Sequence, residues 1–268
     1  MGSSNKILIT GGKGTVGKFL SSRLPYEILS PGKDELNLFD ADQVSSYLTN
    51  NDIDVVVHCG LTGREDLFSQ EPHYTTDSLW MFRNLWNNKD KFKKFINLGT
   101  AYEFDLTQNN WLVREYDVLK HLPNTSYGYA KNLIARTIRE TENFYNLRLF
   151  GVFHEAEADN RFFKKLFLNK QIDIHNDIYL DYIYLGDLLP VISGIVEGNI
   201  KSRDINMSYS KKYKMSELAL MFCQVHNIDS TNVKVLGNNG LNLTGHSGRL
   251  DMYDIPLIGL DGFNLYKS

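Results

Sequence analysis

KILITGGKGTVG, residues 6–17, is the stretch of sequence that decides the fold of this chain. Its apolar start predicts a buried β-strand, and Gly11, Gly14 and Gly17 predict a tight turn into an α-helix. Such a turn lets backbone approach a dinucleotide pyrophosphate, which the N–H groups and positive dipole end of the helix bind. The spacing G-x-x-G-x-x-G is less common than G-x-G-x-x-G, and glycines also mark ordinary turns. The motif therefore needs support from elsewhere in the chain.

Strand and helix patterns alternate along the first half of the chain. The run Asp54–Cys59 is continuously β-branched in its centre, which is typical of a parallel strand covered on both faces. Alternation of this kind builds right-handed βαβ units, so the fold class is α/β, with a Rossmann-type doubly wound parallel sheet. The other expected strands are 6–10, 26–29, 95–98 and 147–150, and the expected helices are 15–24, 41–50, 74–88 and 132–145.

The pattern loosens after Gly151, which predicts a small C-terminal substrate-binding lobe rather than an independent domain. We assign residues 1–151 to the nucleotide-binding core and 152–268 mainly to the lobe, with 176–208 returning to the core. Within the lobe we expect a helix over 159–169 and a helix capped by Ser216.

Composition excludes several classes of function. A chain of 268 residues with a formal net charge of −3 offers no basic surface for nucleic acid. Two cysteines, Cys59 and Cys223, form neither a disulfide framework nor a metal-ligand pattern, and we expect both to be buried thiols. The histidines show no paired ligand spacing, so no metal site is expected. With no leader and no apolar stretch of bilayer length, we expect a cytoplasmic protein that binds no membrane.

Tyr127, Lys131 and Thr100 are the candidate reactive residues. On a helix, residues four apart share a face, and an ammonium ion beside a phenol favours phenolate and lowers the phenol's pKa. Such a phenol can exchange protons near neutral pH. Thr100 follows the strand 95–98, at the carboxyl edge of the sheet where ligands bind. The alternatives are a surface Tyr–Lys pair and a loop threonine that bonds its own backbone.

Five segments of this chain, taken in order, form one pattern. They are the glycine turn, the run ending at Cys59-Gly60, the Thr100 region, Tyr127-x-x-x-Lys131 and Leu180–Asp187. With these segments the chain resembles the extended short-chain dehydrogenase/reductase family, and within it the nucleotide-sugar epimerases and reductases, notably the GDP-L-fucose synthase and dTDP-4-dehydrorhamnose reductase branches. The resemblance implies that Thr100 polarises a sugar carbonyl, that Tyr127 donates a proton and that Lys131 holds the nicotinamide ribose.

The expected cofactor is NADP(H), bound by the core over residues 1–151. NAD-binding folds place a carboxylate after the second strand, whereas this chain has none there before Asp34. Lys13 and Lys33 lie where a 2′-phosphate would sit, unless they are simply solvated. By resemblance, Asp40 bonds the adenine amine. The full expected cofactor set is Gly11, Lys13, Gly14, Thr15, Val16, Gly17, Lys33, Asp40, Cys59, Gly60, Leu61, Tyr127 and Lys131.

Two departures from the fucose synthase pattern argue against epimerisation. The family's acid/base cysteine is Tyr102 here, and its histidine aligns with Arg161, which is always protonated. His154 could replace that histidine only through a shifted loop. We therefore expect reduction of a nucleotide-linked 4-keto-6-deoxy sugar. The alternatives are a nucleotide-sugar epimerase (a 4-epimerase or a 3,5-epimerase/4-reductase) and a non-catalytic NADP-binding regulatory subunit.

The expected partners are a nucleotide-sugar substrate and a second copy of the chain. Guanidinium groups suit a diphosphate, although they also occur as plain surface charges, and Asn160 has the alternative role of a helix cap. Many relatives dimerise through helices that correspond to 74–88 and 132–145, so we expect a homodimer with Trp80 or Trp86 in the contact. The expected substrate-binding residues are Tyr102, Asn160, Arg161 and Arg249.

Overall fold

The computed structural model describes residues 5–60 and 71–266. Leu61, expected in the cofactor set, lies outside the described residues. In chain order the elements are β1 (Lys6–Thr10), α1 (Thr15–Arg23), β2 (Glu27–Leu29), α2 (Ala41–Asn51), β3 (Val55–His58), α3 (Pro72–Trp86), β4 (Lys94–Thr100), β5 (Asn110–Val113), α4 (Ser126–Arg139), β6 (Phe144–Leu149), β7 (Gly151–Phe153), α5 (Phe162–Phe167), β8 (Ile172–Ile174), β9 (Tyr182–Tyr184), α6 (Leu188–Glu197), β10 (Asp204–Met207), α7 (Met215–His226), β11 (Val233–Val235), β12 (Leu243–Gly245) and α8 (Gly248–Asp251).

A six-stranded parallel sheet confirms the expected fold class. Its strand order is β10-β6-β4-β3-β1-β2. The chain runs outward from β1 to β2 and then returns to the other side of β1 to form β3, with Ile7 opposite Val55 and Thr10 opposite His58. A reversal of this kind opens a crevice beyond the carboxyl ends of the two strands. The glycine turn begins at that crevice.

Burial explains why these segments form strands. Each residue from Val55 to His58 is buried, as the continuous β-branched run predicts. The helices α2, α3 and α4 pack apolar side chains onto the sheet, and the rings of Phe95 and Phe144 stack with centroids 4.6 Å apart. Full burial of one such side chain contributes about 1.5–3 kcal/mol. This core fixes the strand ends that carry the candidate site.

The chain divides into two compact units. The first comprises the described residues within Met1–Asp105, Glu115–Arg148 and Val191–Ile205, and the second those within Leu106–Arg114, Leu149–Pro190 and Asn206–Ser268. The second unit contains three two-stranded sheets, β11-β8, β12-β5 and β7-β9, and a core rich in phenylalanine. The assignment of cofactor binding to one region and substrate binding to the other stays a prediction.

Several element boundaries differ from expectation. The helix α4 begins at Ser126 rather than near 132, because the Thr125 hydroxyl accepts the Gly128 N–H at 3.1 Å and caps the helix. Ser216 is not a helix cap, since Lys214 holds that position in α7. Instead, Ser216 donates its hydroxyl and its N–H to Asp177. The helix α5 is also shorter than the expected 159–169.

Over residues 5–60 and 71–266, no helix has both the length and the apolar character needed to cross a membrane.

Candidate active site

The glycine turn packs its backbone against the residues that follow β3. Gly11 has φ +70°, and a Cβ atom there would lie 2.9 Å from the carbonyl of Cys59. At Gly17, an added Cβ would lie 2.5 Å from the Gly11 oxygen. Any side chain at either position would therefore push the turn apart. Gly14 caps α1 with no side-chain hydrogen bond, so no side-chain cap occupies the first N–H groups of the helix.

A cleft of about 290 Å³ lies beside the turn. Exposed Lys13 and Lys33 border it, and a Cβ on Gly32 would lie 3.0 Å from the Lys13 ammonium. The Lys33 ammonium lies 5.9 Å from the centre of the Phe39 ring. The described residues that line the cleft include no carboxylate, so its charge is positive. They are Thr10, Gly11, Gly12, Lys13, Pro31, Gly32, Lys33, Leu36, Asn37, Leu38, Phe39, Gly60 and Met81.

The apolar wall of this cleft was not among the expected site residues. Leu38, Phe39 and Met81 line it, and the buried Asn84 side chain donates to the Leu38 carbonyl at 2.8 Å and fixes that wall. In sequence these apolar residues look like ordinary core. The one usable signal is the position of 36–39 directly after the second strand.

Asp40, expected near an adenine, lies at the start of α2. Its exposed carboxylate accepts the Gln43 N–H at 2.9 Å and caps the helix. Thr15 and Val16 begin α1, with Thr15 exposed. The adenine contact of Asp40 stays a prediction.

The end of β3 supplies uncharged groups to the crevice. His58 is buried, as expected for a core residue, and its Nδ1 lies 2.7 Å from the Thr10 hydroxyl. Burial, together with the nearby charge of Lys131, lowers the pKa of His58 to about 3. Burial raises the pKa of Cys59 to about 12. Cys59 keeps some exposure, contrary to expectation, whereas Cys223 is buried as expected.

Tyr127 and Lys131 lie one turn apart on α4, and both are buried. The Lys131 ammonium donates to the Leu98 carbonyl at 3.3 Å, near the carboxyl end of β4. Burial lowers the pKa of Lys131, while the charge of Glu103 acts in the opposite direction. The Tyr102 ring meets the Tyr127 ring edge-on, with centroids 5.8 Å apart. A surface Tyr–Lys pair, the alternative reading, is wrong.

Thr100 ends β4 and caps the short turn that follows. Its hydroxyl oxygen accepts the Tyr102 N–H at 3.3 Å, and its own N–H donates to Glu103 Oε1 at 3.0 Å. A hydroxyl that accepts one hydrogen bond can still donate its proton. The hydrogen bond to nearby backbone that is typical of a loop threonine is therefore present. The Thr100 hydroxyl can still donate its hydrogen in a second bond.

The expected substrate-binding residues are divided between the units. Tyr102 belongs to the first unit, whereas Asn160, Arg161 and Arg249 belong to the second. Asn160 is exposed and does not cap α5, since Arg161 holds that position. The Arg161 Nε lies 3.9 Å from Glu157, and Arg249 lies in α8.

His154 is buried in the second unit and held by one local and one long-range hydrogen bond. Its Nδ1 accepts the Ala156 N–H at 3.0 Å, and its backbone N–H donates to the Tyr266 hydroxyl at 3.0 Å. These bonds oppose the loop shift that an acid/base role would need. Among the described residues, no group of three or more histidine, cysteine or acidic side chains is arranged to hold a metal ion.

Comparisons with known proteins agree with this geometry. The model of the NAD dependent epimerase/dehydratase family matches residues 7–190. GDP-L-fucose synthase from Azorhizobium caulinodans is 31% identical over 173 residues, which cover 60% of this chain and 55% of that protein. The match therefore spans about half the length of that relative. GDP-L-colitose synthase from Yersinia pseudotuberculosis is 21% identical, with 92% of this chain and 94% of that protein covered.

Among solved structures, dTDP-4-dehydrorhamnose reductase from Bacillus anthracis in complex with NADP superposes with a TM-score of 0.79. The superposition covers 99% of this chain and 98% of that chain at 17% identity. At that identity the likeness concerns the fold.

Proposed function

Because this chain belongs to the NAD dependent epimerase/dehydratase family, we propose that it is an NADPH-dependent reductase of a nucleotide-linked 4-keto-6-deoxy sugar. The observation that carries the proposal is the buried pair Tyr127 and Lys131, whose ammonium binds the Leu98 carbonyl in the strand that ends at Thr100. The names of the relatives, which include synthases of GDP-linked sugars and a dTDP-sugar reductase, support this substrate class.

The residues present fit a nicotinamide dinucleotide. The side-chain-free turn at Gly11 and Gly17 leaves room for a pyrophosphate at the start of α1, and Leu38, Phe39 and Met81 offer apolar contact to a flat base. When bound, the cofactor supplies a hydride to the carbonyl carbon.

The protein's own groups manage the proton and the orientation. Thr100 donates its hydroxyl hydrogen to the sugar carbonyl oxygen and polarises the carbonyl. Tyr127 gives the proton that completes the alcohol, and Lys131 holds the nicotinamide ribose and stabilises the phenolate that Tyr127 becomes. The balance is one hydride and one proton added to one ketone.

Reduction without epimerisation is the simpler chemistry for this chain. Epimerisation needs a base to remove a carbon-bound proton and an acid to return one. Tyr102 and Arg161 stand at the two positions concerned, and Arg161 cannot release a proton. His154 is held by hydrogen bonds to the Ala156 N–H and the Tyr266 hydroxyl.

The direct test measures NADPH oxidation with a panel of nucleotide-linked 4-keto-6-deoxy sugars. We expect oxidation equal to the alcohol formed with at least one of them. Tight NADPH binding without oxidation of any would contradict the proposal and favour a binding subunit. Isomerisation of a sugar with no net NADPH consumption would favour an epimerase.

The charge of the cleft also supports NADPH over NADH. We expect Lys33→Asp to weaken NADPH binding about tenfold or more, because it places a carboxylate where the 2′-phosphate would lie. NADH binding should change little. Fluorescence titration measures both affinities, with Lys18→Ala on the exposed face of α1 as the control. Equal weakening of both cofactors would remove the argument for NADPH.

We also propose a homodimer built on α3 and α4, which pack against each other. Trp80 on α3 is 51% exposed, so its ring is accessible to a second copy of the chain. We expect a dimer by light scattering, and dissociation to monomer in Trp80→Glu. Leu220→Glu is the matched control, since Leu220 is 47% exposed on α7 of the other unit. A monodisperse wild-type monomer would contradict the proposal.

A further inference from the structure

A buried polar cluster lies directly behind the Thr100 turn. Glu103 is fully buried, and its carboxylate receives hydrogen bonds from the Thr100 N–H, the Asn146 amide and the Arg148 guanidinium. Arg148, also fully buried, reaches Asp204 with its other end, and Asp204 pairs in turn with Arg139. All of these groups belong to the first unit.

We propose that Glu103 is a positioning residue of the proton-transfer site, which fixes the Thr100 turn and places a buried negative charge beside the backbone segment that the Lys131 ammonium binds. This inference rests on the proposed function. Glu103 does not itself contact substrate or cofactor in the proposal; it acts through Thr100 and Lys131.

The geometry of the turn carries the first part of the inference. Glu103 Oε1 accepts the Thr100 N–H at 3.0 Å, and the Thr100 hydroxyl accepts the Tyr102 N–H in return. A Cβ on Gly99 would lie 2.4 Å from Glu103 Oε1, so the carboxylate lies flush against the backbone. The turn cannot rotate without breaking a bond to a buried charge.

A second bond connects this turn to the helix that carries Tyr127. The Asn132 amide on α4 donates to the Glu103 carbonyl at 2.8 Å and to the Val118 carbonyl at 2.9 Å. Asn132 is the residue next to Lys131. The backbone of Glu103 and the backbone of α4 are thereby held at a fixed separation.

The geometry around Lys131 carries the second part. The Lys131 ammonium donates to the Leu98 carbonyl and the Glu103 carboxylate accepts the Thr100 N–H, so the two groups bind the backbone on either side of Gly99. Among the described residues, the titratable groups that act on the ammonium are Glu103, Cys59 and His58, and Tyr127 lies one turn before it on the same helix. Burial keeps Cys59 as a neutral thiol and His58 as a neutral imidazole. Glu103 is therefore the carboxylate among these groups. Its charge favours the protonated form of Lys131, whereas burial disfavours that form.

A purely structural role would not require a buried charge at position 103. Burial raises the pKa of Glu103, and the Arg148 guanidinium opposes that rise. Replacement of buried ion pairs by apolar residues of similar volume is often neutral or stabilising, so a buried pair by itself is weak grounds for a stabilising role. The placement of this carboxylate against the Thr100 N–H, next to the backbone that Lys131 binds, indicates a role in the site.

The test compares Glu103→Gln, Glu103→Leu and Asp204→Asn with wild type. Glutamine keeps an acceptor for the Thr100 N–H and removes the charge, whereas leucine removes both. Asp204→Asn removes a charge from the same cluster without touching the Thr100 turn, so it reports the effect of cluster damage alone. Thermal unfolding of each variant records any loss of stability.

The first readout needs no substrate. The Lys131 side chain is titrated by NMR in the free protein, with its signal assigned from Lys131→Arg. We expect the titration to move to lower pH in Glu103→Gln and to stay near wild type in Asp204→Asn. Equal titration midpoints of Lys131 in the two variants, or an unchanged midpoint in Glu103→Gln, would overturn the proposed effect of the Glu103 charge on Lys131.

The second readout is turnover. Because a misplacement of about 1 Å can lower a rate about 100-fold, we expect Glu103→Leu to lose about 10- to 100-fold in kcat with little change in the KM for NADPH. The kcat of Glu103→Gln should stay near the wild-type value at low pH. As the pH is raised, it should fall at a lower pH than the kcat of wild type does. Wild-type kcat in a folded Glu103→Leu would overturn the positioning role. If no sugar is reduced by any form, the proposed function fails, while the NMR titration still decides the part played by Glu103.

Discussion

Tyr127→Phe is expected to lower kcat by about 100- to 10,000-fold, the range that a positioned general acid contributes. The variant keeps the ring that packs edge-on against Tyr102 and loses only the hydroxyl. NADPH affinity and the free energy of unfolding should therefore stay close to wild type. Stopped-flow absorbance of NADPH in single turnovers measures the chemical step directly.

Tyr129→Phe is the matched control for this variant. Tyr129 lies on the same helix α4 but is exposed, so loss of its hydroxyl should leave turnover unchanged. Near-wild-type turnover in Tyr127→Phe would mean that another group supplies the proton. Loss of turnover in both variants would point to damage to α4 rather than to proton transfer.

Arg148→Met is expected to have the largest effect on stability, about 3–5 kcal/mol, because breaking a buried ion pair leaves uncompensated charge. Arg148 is fully buried between Glu103, 2.6 Å from its Nε, and Asp204, 3.1 Å from its Nη2. Urea unfolding followed by circular dichroism measures the loss. Arg139→Met is the graded control, since Arg139 is partly exposed and pairs with Asp204 alone among these carboxylates, so it should lose less.

The loss of stability in Arg148→Met should also depend on pH. Burial raises the pKa of Glu103 and the guanidinium opposes that rise, so without Arg148 the folded state binds the Glu103 proton more tightly than the unfolded state. Stability then rises as pH falls and is lost as pH increases above the unfolded pKa. We expect the difference from wild type to narrow at mildly acidic pH. A small loss with no pH dependence would mean that Glu103 and Asp204 need no counter-charge.

The parts of the fold that follow from backbone sterics could be predicted from the sequence. The run ending at His58 predicts a covered parallel strand, and it is one. The turn at Gly11 requires a positive φ that glycine adopts readily, so its place after a strand could be read from spacing. The start of α4 was misplaced because Gly128 weakens the helical pattern, whereas a single hydroxyl on Thr125 sets the boundary.

The parts that depend on long-range pairing could not be predicted. Glu103 and Arg148 are far apart in sequence, and each resembles a surface charge until the fold buries the pair. Leu38 and Met81 line a cleft, yet their local patterns match those of core residues. Asp40 shows the reverse difficulty, since one carboxylate suits both a helix cap and a ligand contact, and the structure shows the cap.

The most direct test of the central claim is isotope transfer from NADPH deuterated at C4 of the nicotinamide. After incubation with a nucleotide-linked 4-keto-6-deoxy sugar that the protein turns over, the product is analysed by mass spectrometry and NMR. We expect a single deuterium at C4 of the sugar alcohol, formed in equal amount to oxidised cofactor in wild type and strongly slowed in Tyr127→Phe. A product without deuterium at C4, or sugar isomerisation with the cofactor unchanged, would contradict the account.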